Sequence, residues 1–235
     1  MQGLPRAVPK EGQVSNPGGV PTPLWDLPVR FIHWAFVVLI PALWWTAENG
    51  HMTWHMQIGT VMLQLLVIRV LWGFVGGSTA RFAAFVRGPR AVLDHLRGRT
   101  GAAPTAGHNA AGGWSVIALL GLLGLQVTFG LLAGDEDDGV TGPLIHLVSF
   151  TTADRATQLH ELGFNLILAL IVLHVGAVLF YRFVKRDNLI APMVTGKRDL
   201  PAGTRGLVRA PAWRFFACVV AAWLVGWAIW SGTKP

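Results

Sequence analysis

The chain has 235 residues, 52% hydrophobic and 13% charged, against about a quarter charged in soluble domains, which excludes an ordinary soluble protein and points to one that lives in lipid. A formal charge of +7 would suggest nucleic acid in a soluble chain; here it reads as topology-setting charge, and no nucleic-acid partner is expected. The single cysteine, Cys218, excludes an intrachain disulfide, a cysteine-based zinc or iron–sulfur site, and haem attachment through Cys-x-x-Cys-His.

Residues 1–24 are rich in Pro, Gly and polar residues and read as a flexible cytoplasmic tail, not a signal peptide. Five apolar stretches follow, near 28–47, 54–76, 112–133, 158–183 and 213–230. Each is long enough, as a helix, for a bilayer core of about 30 Å. The first, PVRFIHWAFVVLIPALWWTAE, contains Pro41, which a membrane helix tolerates. Between the second and third lies TARFAAFVRGPRAVLDHLRG, a basic, partly amphipathic segment suited to anionic lipid. After the third comes AGDEDDG (Asp135, Glu136, Asp137, Asp138), either a solvated loop or a docking surface for a cationic protein. The last stretch, WRFFACVVAAWLVGWAIW, carries no ionisable residue beyond Arg214 at its start.

Sixteen of the nineteen basic residues fall before or at the very start of the first stretch, between the second and third, or from the last residues of the fourth to the first of the fifth. By the positive-inside rule those loops and the N-terminus are cytoplasmic and the C-terminus is periplasmic. Only Arg155, Lys234 and the intrahelical Arg69 depart from this.

The fourth stretch holds HELGFNLILALIVLH, with His160 and His174 fourteen residues apart. Fourteen helical residues return to nearly the same face about 21 Å further along, so the two histidines mark two levels on one face. His33, in RFIHW near the cytoplasmic start of the first helix, matches His174 in depth; His55, in WHMQIG at the outer start of the second, matches His160. Two bis-histidine sites stacked across a bilayer are what two b-type haems require. Arg69, fourteen residues after His55, shares its face at the inner level, where it either pairs with a haem propionate or snorkels to the interface. His51 is the rival of His55, but its short polar loop favours His55. His95 and His146 read as ordinary polar residues. His108 and Asn109, before Gly112 and Gly113 in AGHNAAGGW, offer hydrogen bonds to a carbonyl; the plainer reading, favoured here, is a helix start capped by Asn109.

In order along residues 25–198, RFIHW, HMQIG, RVLWGFVG, ARFAAFVRGP, GHNAAGGW, GPLIHLVS, LHELGFN, LHVGAV and DNLIAPMVTGK make the chain similar to bacterial cytochrome b561 proteins. It resembles more closely the b-type cytochrome subunits of nickel–iron hydrogenases. The resemblance implies an all-α integral membrane protein: a four-helix core at 25–198 binding two haems b, then a cytoplasmic linker and fifth transmembrane helix at 199–235. It carries the ligand role to His33, His55, His160 and His174. By analogy with formate dehydrogenase-type cytochromes, it adds weight to a quinone pocket around His108, Asn109, Gly112 and Gly113. Ala110 stands where many relatives have proline.

The function these readings favour is electron transfer in the bacterial inner membrane. Quinone or quinol would meet the inner haem, and a periplasmic redox protein, a cytochrome c or a hydrogenase, the acidic outer face. An alternative is a stand-alone superoxide:quinone oxidoreductase; the acidic outer loops count against an anionic substrate. A zinc or nickel transporter is a third reading, weakened because the histidine pairs lack the carboxylates or thiolates that complete such sites.

Overall fold

The computed structural model describes residues 19–97, 107–134 and 139–232, without the side chains of His95 and Leu96. The acidic run 135–138 and most of the tail, 1–18, lie outside the described residues. The described elements are, in order, β1 (Gly19–Pro23), α1 (Leu27–Glu48), α2 (Met52–Val75), α3 (Phe82–Phe85), α4 (Pro89–Leu96), α5 (Ala110–Leu132), a 3-10 turn (Ile145–Leu147), α6 (Phe150–Phe183), α7 (Ile190–Thr195), β2 (Lys197–Pro201) and α8 (Ala212–Ser231). Five of them, α1, α2, α5, α6 and α8, are long and apolar enough to cross a membrane. Each coincides with an expected stretch, and the chain is a multi-pass, helical membrane protein.

Local chemistry sets the ends of these helices. Asp26 caps α1 by accepting from Val29 N at 3.0 Å, with Pro28 in the first turn, where its missing N–H costs nothing. The α1–α2 turn closes through Gly50 at φ 69°, a conformation that suits a residue without Cβ. α6 begins at Phe150, eight residues before the expected 158. Its first turns, FTTADRATQ, are too polar to register as a span, yet they stay helical and stand beyond the apolar stretch. Thr157 ties this extension to the end of α5, its Oγ1 accepting from Gly134 N at 3.0 Å.

Two helix pairs, α1/α2 and α5/α6, are joined chiefly through α2 and α5, and α8 packs along the far side of α2. The α8 seam is made of small residues one turn apart, Cys218, Ala222 and Gly226, all buried. Such residues let membrane helices approach closely where no hydrophobic driving force exists between them. Trp72 meets Phe215 edge-on at 5.6 Å, and Trp230 donates to Thr60 Oγ1 at 2.9 Å. The fifth helix therefore packs on the core, a point the sequence left open.

The end of the bundle carrying most basic residues is closed by a two-stranded ribbon. β1 pairs antiparallel with β2 from Gly19↔Pro201 to Pro23↔Lys197. This corrects the expectation of a flexible tail up to residue 24. GVPTP has no strand periodicity, but its backbone finds a partner far along the chain. Leu24 N and Trp25 N both donate to Gly196 O, and Gly196, at φ 80°, leaves no room for a Cβ against the Trp25 carbonyl and Arg30. Arg30 donates to the Met193 and Val194 carbonyls at the end of α7, where helix dipole and unpaired carbonyls favour a cation. Leu24, Trp25, Val29, Ile32, Ile68, Trp72 and Ala80 form the core beneath the ribbon and continue into Cys218 and Ala222 of α8.

Candidate functional site

At the end away from the ribbon, the first turn of α2 and the first third of α6 bring His55 and His160 together. Their ring centroids are 6.1 Å apart and their planes nearly perpendicular, at 78°. Each ring is tied by Nδ1 to a main-chain carbonyl: His55 to Leu43 O at 3.0 Å and His160 to Gln126 O at 2.8 Å. A carbonyl only accepts, so both Nδ1 atoms carry the proton, which leaves the Nε2 lone pairs as the atoms able to ligate a metal. Gly130 makes room for His160, since a Cβ there would lie 2.8 Å from Cε1. His51 is exposed and packs instead against Trp45 at 5.3 Å.

Toward the ribbon end, α1, α2, α6 and the approach to α5 converge on a second group. His33 lies within electrostatic reach of His174. His108 feels the charges of Arg69, His174 and His33, in that order. Burial, reinforced by those charges, pulls His108 down to about 4, so it is neutral at pH 7. Its ring sits between Trp25 at 4.7 Å and Phe85 at 5.0 Å. Arg69 is buried, not snorkelling: its guanidinium lies over Phe82 at 5.4 Å, and Asp26 acts on it as a counter-charge.

Asn109 serves the helix start, as the plainer reading had it. Its Oδ1 accepts from Gly112 N at 2.7 Å, while its Nδ2 donates to Tyr181 Oη at 2.9 Å. A Cβ on Gly113 would lie 2.8 Å from the Phe85 carbonyl, so this glycine lets the α3 segment approach α5. An apolar layer of Leu66, Leu123 and Ile167, flanked by Phe36, Ile40, Leu120 and Ile171, separates the two histidine levels. His160, Ile167 and His174 follow one another at seven-residue steps on α6.

Sequence reasoning missed Gln126, the α5 residue whose main chain holds His160; an amide inside GLLGLQVTFGLL was the available signal. Trp25 and Phe85 around His108 had no such signal, because aromatics abound in this chain.

The donor set decides which metal chemistry fits. Among the described residues no three His, Cys, Asp or Glu side chains converge, so a bare ion would lack a protein cage. A metal that brings its own equatorial ligands needs only two. Two imidazoles sharing one ion through bonds of about 2 Å hold their centroids roughly 6 Å apart, as His55 and His160 do. At the other level, His33 Nδ1 and Arg69 Nη1 are buried with no hydrogen-bond partner among the described residues. A buried cation with an unanswered donor suits a ligand that carries carboxylates. Haem fits both observations.

Comparison with known proteins agrees: a family model described as prokaryotic cytochrome b561 matches residues 24–196. No curated protein and no solved structure gives a match.

Proposed function

The chain belongs to the prokaryotic cytochrome b561 family, whose members carry electrons in membranes on haem b, and from that premise we propose a two-haem conductor between quinone and a periplasmic redox protein. His55 and His160 would hold one haem, and His33 and His174 the other. The observation that carries this reading is the opposed pair at 6.1 Å, each ring already committed through Nδ1 to a carbonyl. When bound, haem supplies one-electron chemistry at an iron whose potential follows its axial ligands and surroundings.

The residues do the rest. The Leu43 and Gln126 carbonyls orient the imidazoles and raise their basicity. Leu66, Leu123 and Ile167 keep the space between the levels dry, which strengthens every charge effect beside it. Arg69 would hold a propionate of the haem at the His33 level, with Asp26 as a further counter-charge. Quinone would approach near His108, whose ring burial keeps neutral. Asn109, engaged with Gly112 and Tyr181, and Gly113, backed by Phe85, shape the wall. The basic end faces the cytoplasm of a bacterial inner membrane. The acidic run 135–138 would supply the charge complementarity for a periplasmic partner, a cytochrome c or a hydrogenase.

A haem count on detergent-purified protein, by pyridine haemochrome and reduced-minus-oxidised spectrum, tests this reading. Two haems b per chain are expected, with His33→Ala or His174→Ala removing one and His55→Ala or His160→Ala the other. A folded protein that takes up no haem, or loses both to a single substitution, would overturn it.

A further inference from the structure

Gln126 is the only amide in α5, and an amide in hydrocarbon costs several kcal/mol unless it is bonded. Here it is spent on one residue of the neighbouring helix. Its Nε2 donates to the main-chain oxygen of His160 at 2.8 Å, and His160 Nδ1 donates back to the main-chain oxygen of Gln126 at 2.8 Å. Each residue thus holds the backbone of the other through its own side chain. The fit is close on both sides. A Cβ on Gly163, nearly one turn beyond His160, would lie 2.3 Å from Gln126 Oε1, and one on Gly130, one turn beyond Gln126, would lie 2.8 Å from the His160 ring. Oε1 itself is buried with no partner among the described residues, so the side chain gains only what its Nε2 does. Exchanging O for N would set Oε1 against the His160 carbonyl, two acceptors facing each other, so the amide has one workable orientation.

We infer that Gln126 is the positioning residue of His160, setting the rotation, tautomer and donor strength of its imidazole. The inference rests on the reading of His160 as an axial ligand. Any residue at 126 offers a main-chain carbonyl; only a side-chain donor reaching His160 O holds α6 at the depth where Nδ1 meets that carbonyl squarely. With the donor gone, the Nδ1–H···O bond lengthens, the imidazole becomes a weaker donor, and the oxidised iron is stabilised less.

The test is potentiometric titration and low-temperature electron paramagnetic resonance of the two-haem protein carrying Gln126→Met, which keeps length without a donor. The expected result is an upward shift of one midpoint and a changed low-spin signal for that haem alone, with the second haem unmoved and both retained. Gln126→Glu keeps the shape and, while protonated, an O–H donor. It should restore the wild-type midpoint at low pH and depart from it as the carboxyl ionises. Two unchanged midpoints in the methionine variant, or a glutamate variant whose carboxyl ionises, as seen by infrared difference spectra, without moving either midpoint, would reduce Gln126 to an interhelical tie. If the methionine variant does not fold, the glutamate series alone decides. A wild-type protein lacking a haem that depends on His160 would instead refute the ligand assignment, a failure visible before any change at 126.

Discussion

Gly130→Ala adds one methyl group at the most confined point of the His55/His160 level. The new Cβ would lie 2.8 Å from His160 Cε1 and 3.1 Å from Nδ1, and the nearest ordinary contact is 3.4 Å. The ring must therefore retreat by about 0.6 Å, against a tolerance of about 0.5 Å for a metal-binding constellation. The retreat also pulls Nδ1 away from the Gln126 carbonyl, now 2.8 Å distant. Losing such an outer-shell bond typically weakens metal binding 10- to 100-fold, or about 1.4–2.7 kcal/mol. The assay is the rate at which each haem leaves for a haem-scavenging protein, followed in the reduced spectrum. One haem should leave at least ten times faster, the other at the wild-type rate. Gly121→Ala is the control: nothing lies within 4 Å of that Cβ, so the same methyl in the same helix should change neither rate. Equal and unaltered rates for both haems in Gly130→Ala would refute the reasoning, because a ring that yields 0.6 Å without consequence is not held as a ligand.

His51→Ala should leave two haems and two unchanged midpoints, whereas His55→Ala loses one; loss of a haem in the former alone would exchange their roles. His108 is held near 4, below its ordinary 6.5, so as pH falls through that window the unfolded chain takes a proton that the folded one refuses. Its contribution to stability should therefore drop between about pH 6.5 and 4 and level off below, and thermal melts of His108→Gln should show a shallower slope in that window. Ala222→Phe overfills a seam where Ala222 is 1% exposed, at a cost of roughly 1–3 kcal/mol. It should lower the melting temperature yet leave the haem count at two, since α8 bears no histidine; haem loss would show that the fifth helix shapes a site.

The five spans were legible because lipid imposes one rule on every one of them: about twenty apolar residues with all backbone groups satisfied within the helix. The polar start of α6 was not, since hydropathy registers the bilayer and not the helix that projects beyond it. The β1–β2 ribbon escaped for a different reason. Five-residue strands containing Pro21, Pro23 and Pro201 carry no alternation, and their pairing spans most of the chain. The meeting of His55 with His160 followed from helix phase and depth, quantities a sequence encodes well. What His160 leans on did not follow, because the Gln126 contact depends on how α5 and α6 rotate against each other, and that rotation is settled by packing at Gly130 and Gly163.

The ribbon orders events in time. Gly19–Pro23 is synthesised first, but Lys197–Pro201 exists only after four spans have been made. Until then a short connection holds α1 to α2, while the ribbon that ties the start of α1 to the segment after α6 has no second strand. Those are the two helices that bear His33 and His174. The clasp of β1 on β2, with Arg30 gripping the end of α7, can therefore close only after both of those helices have been made.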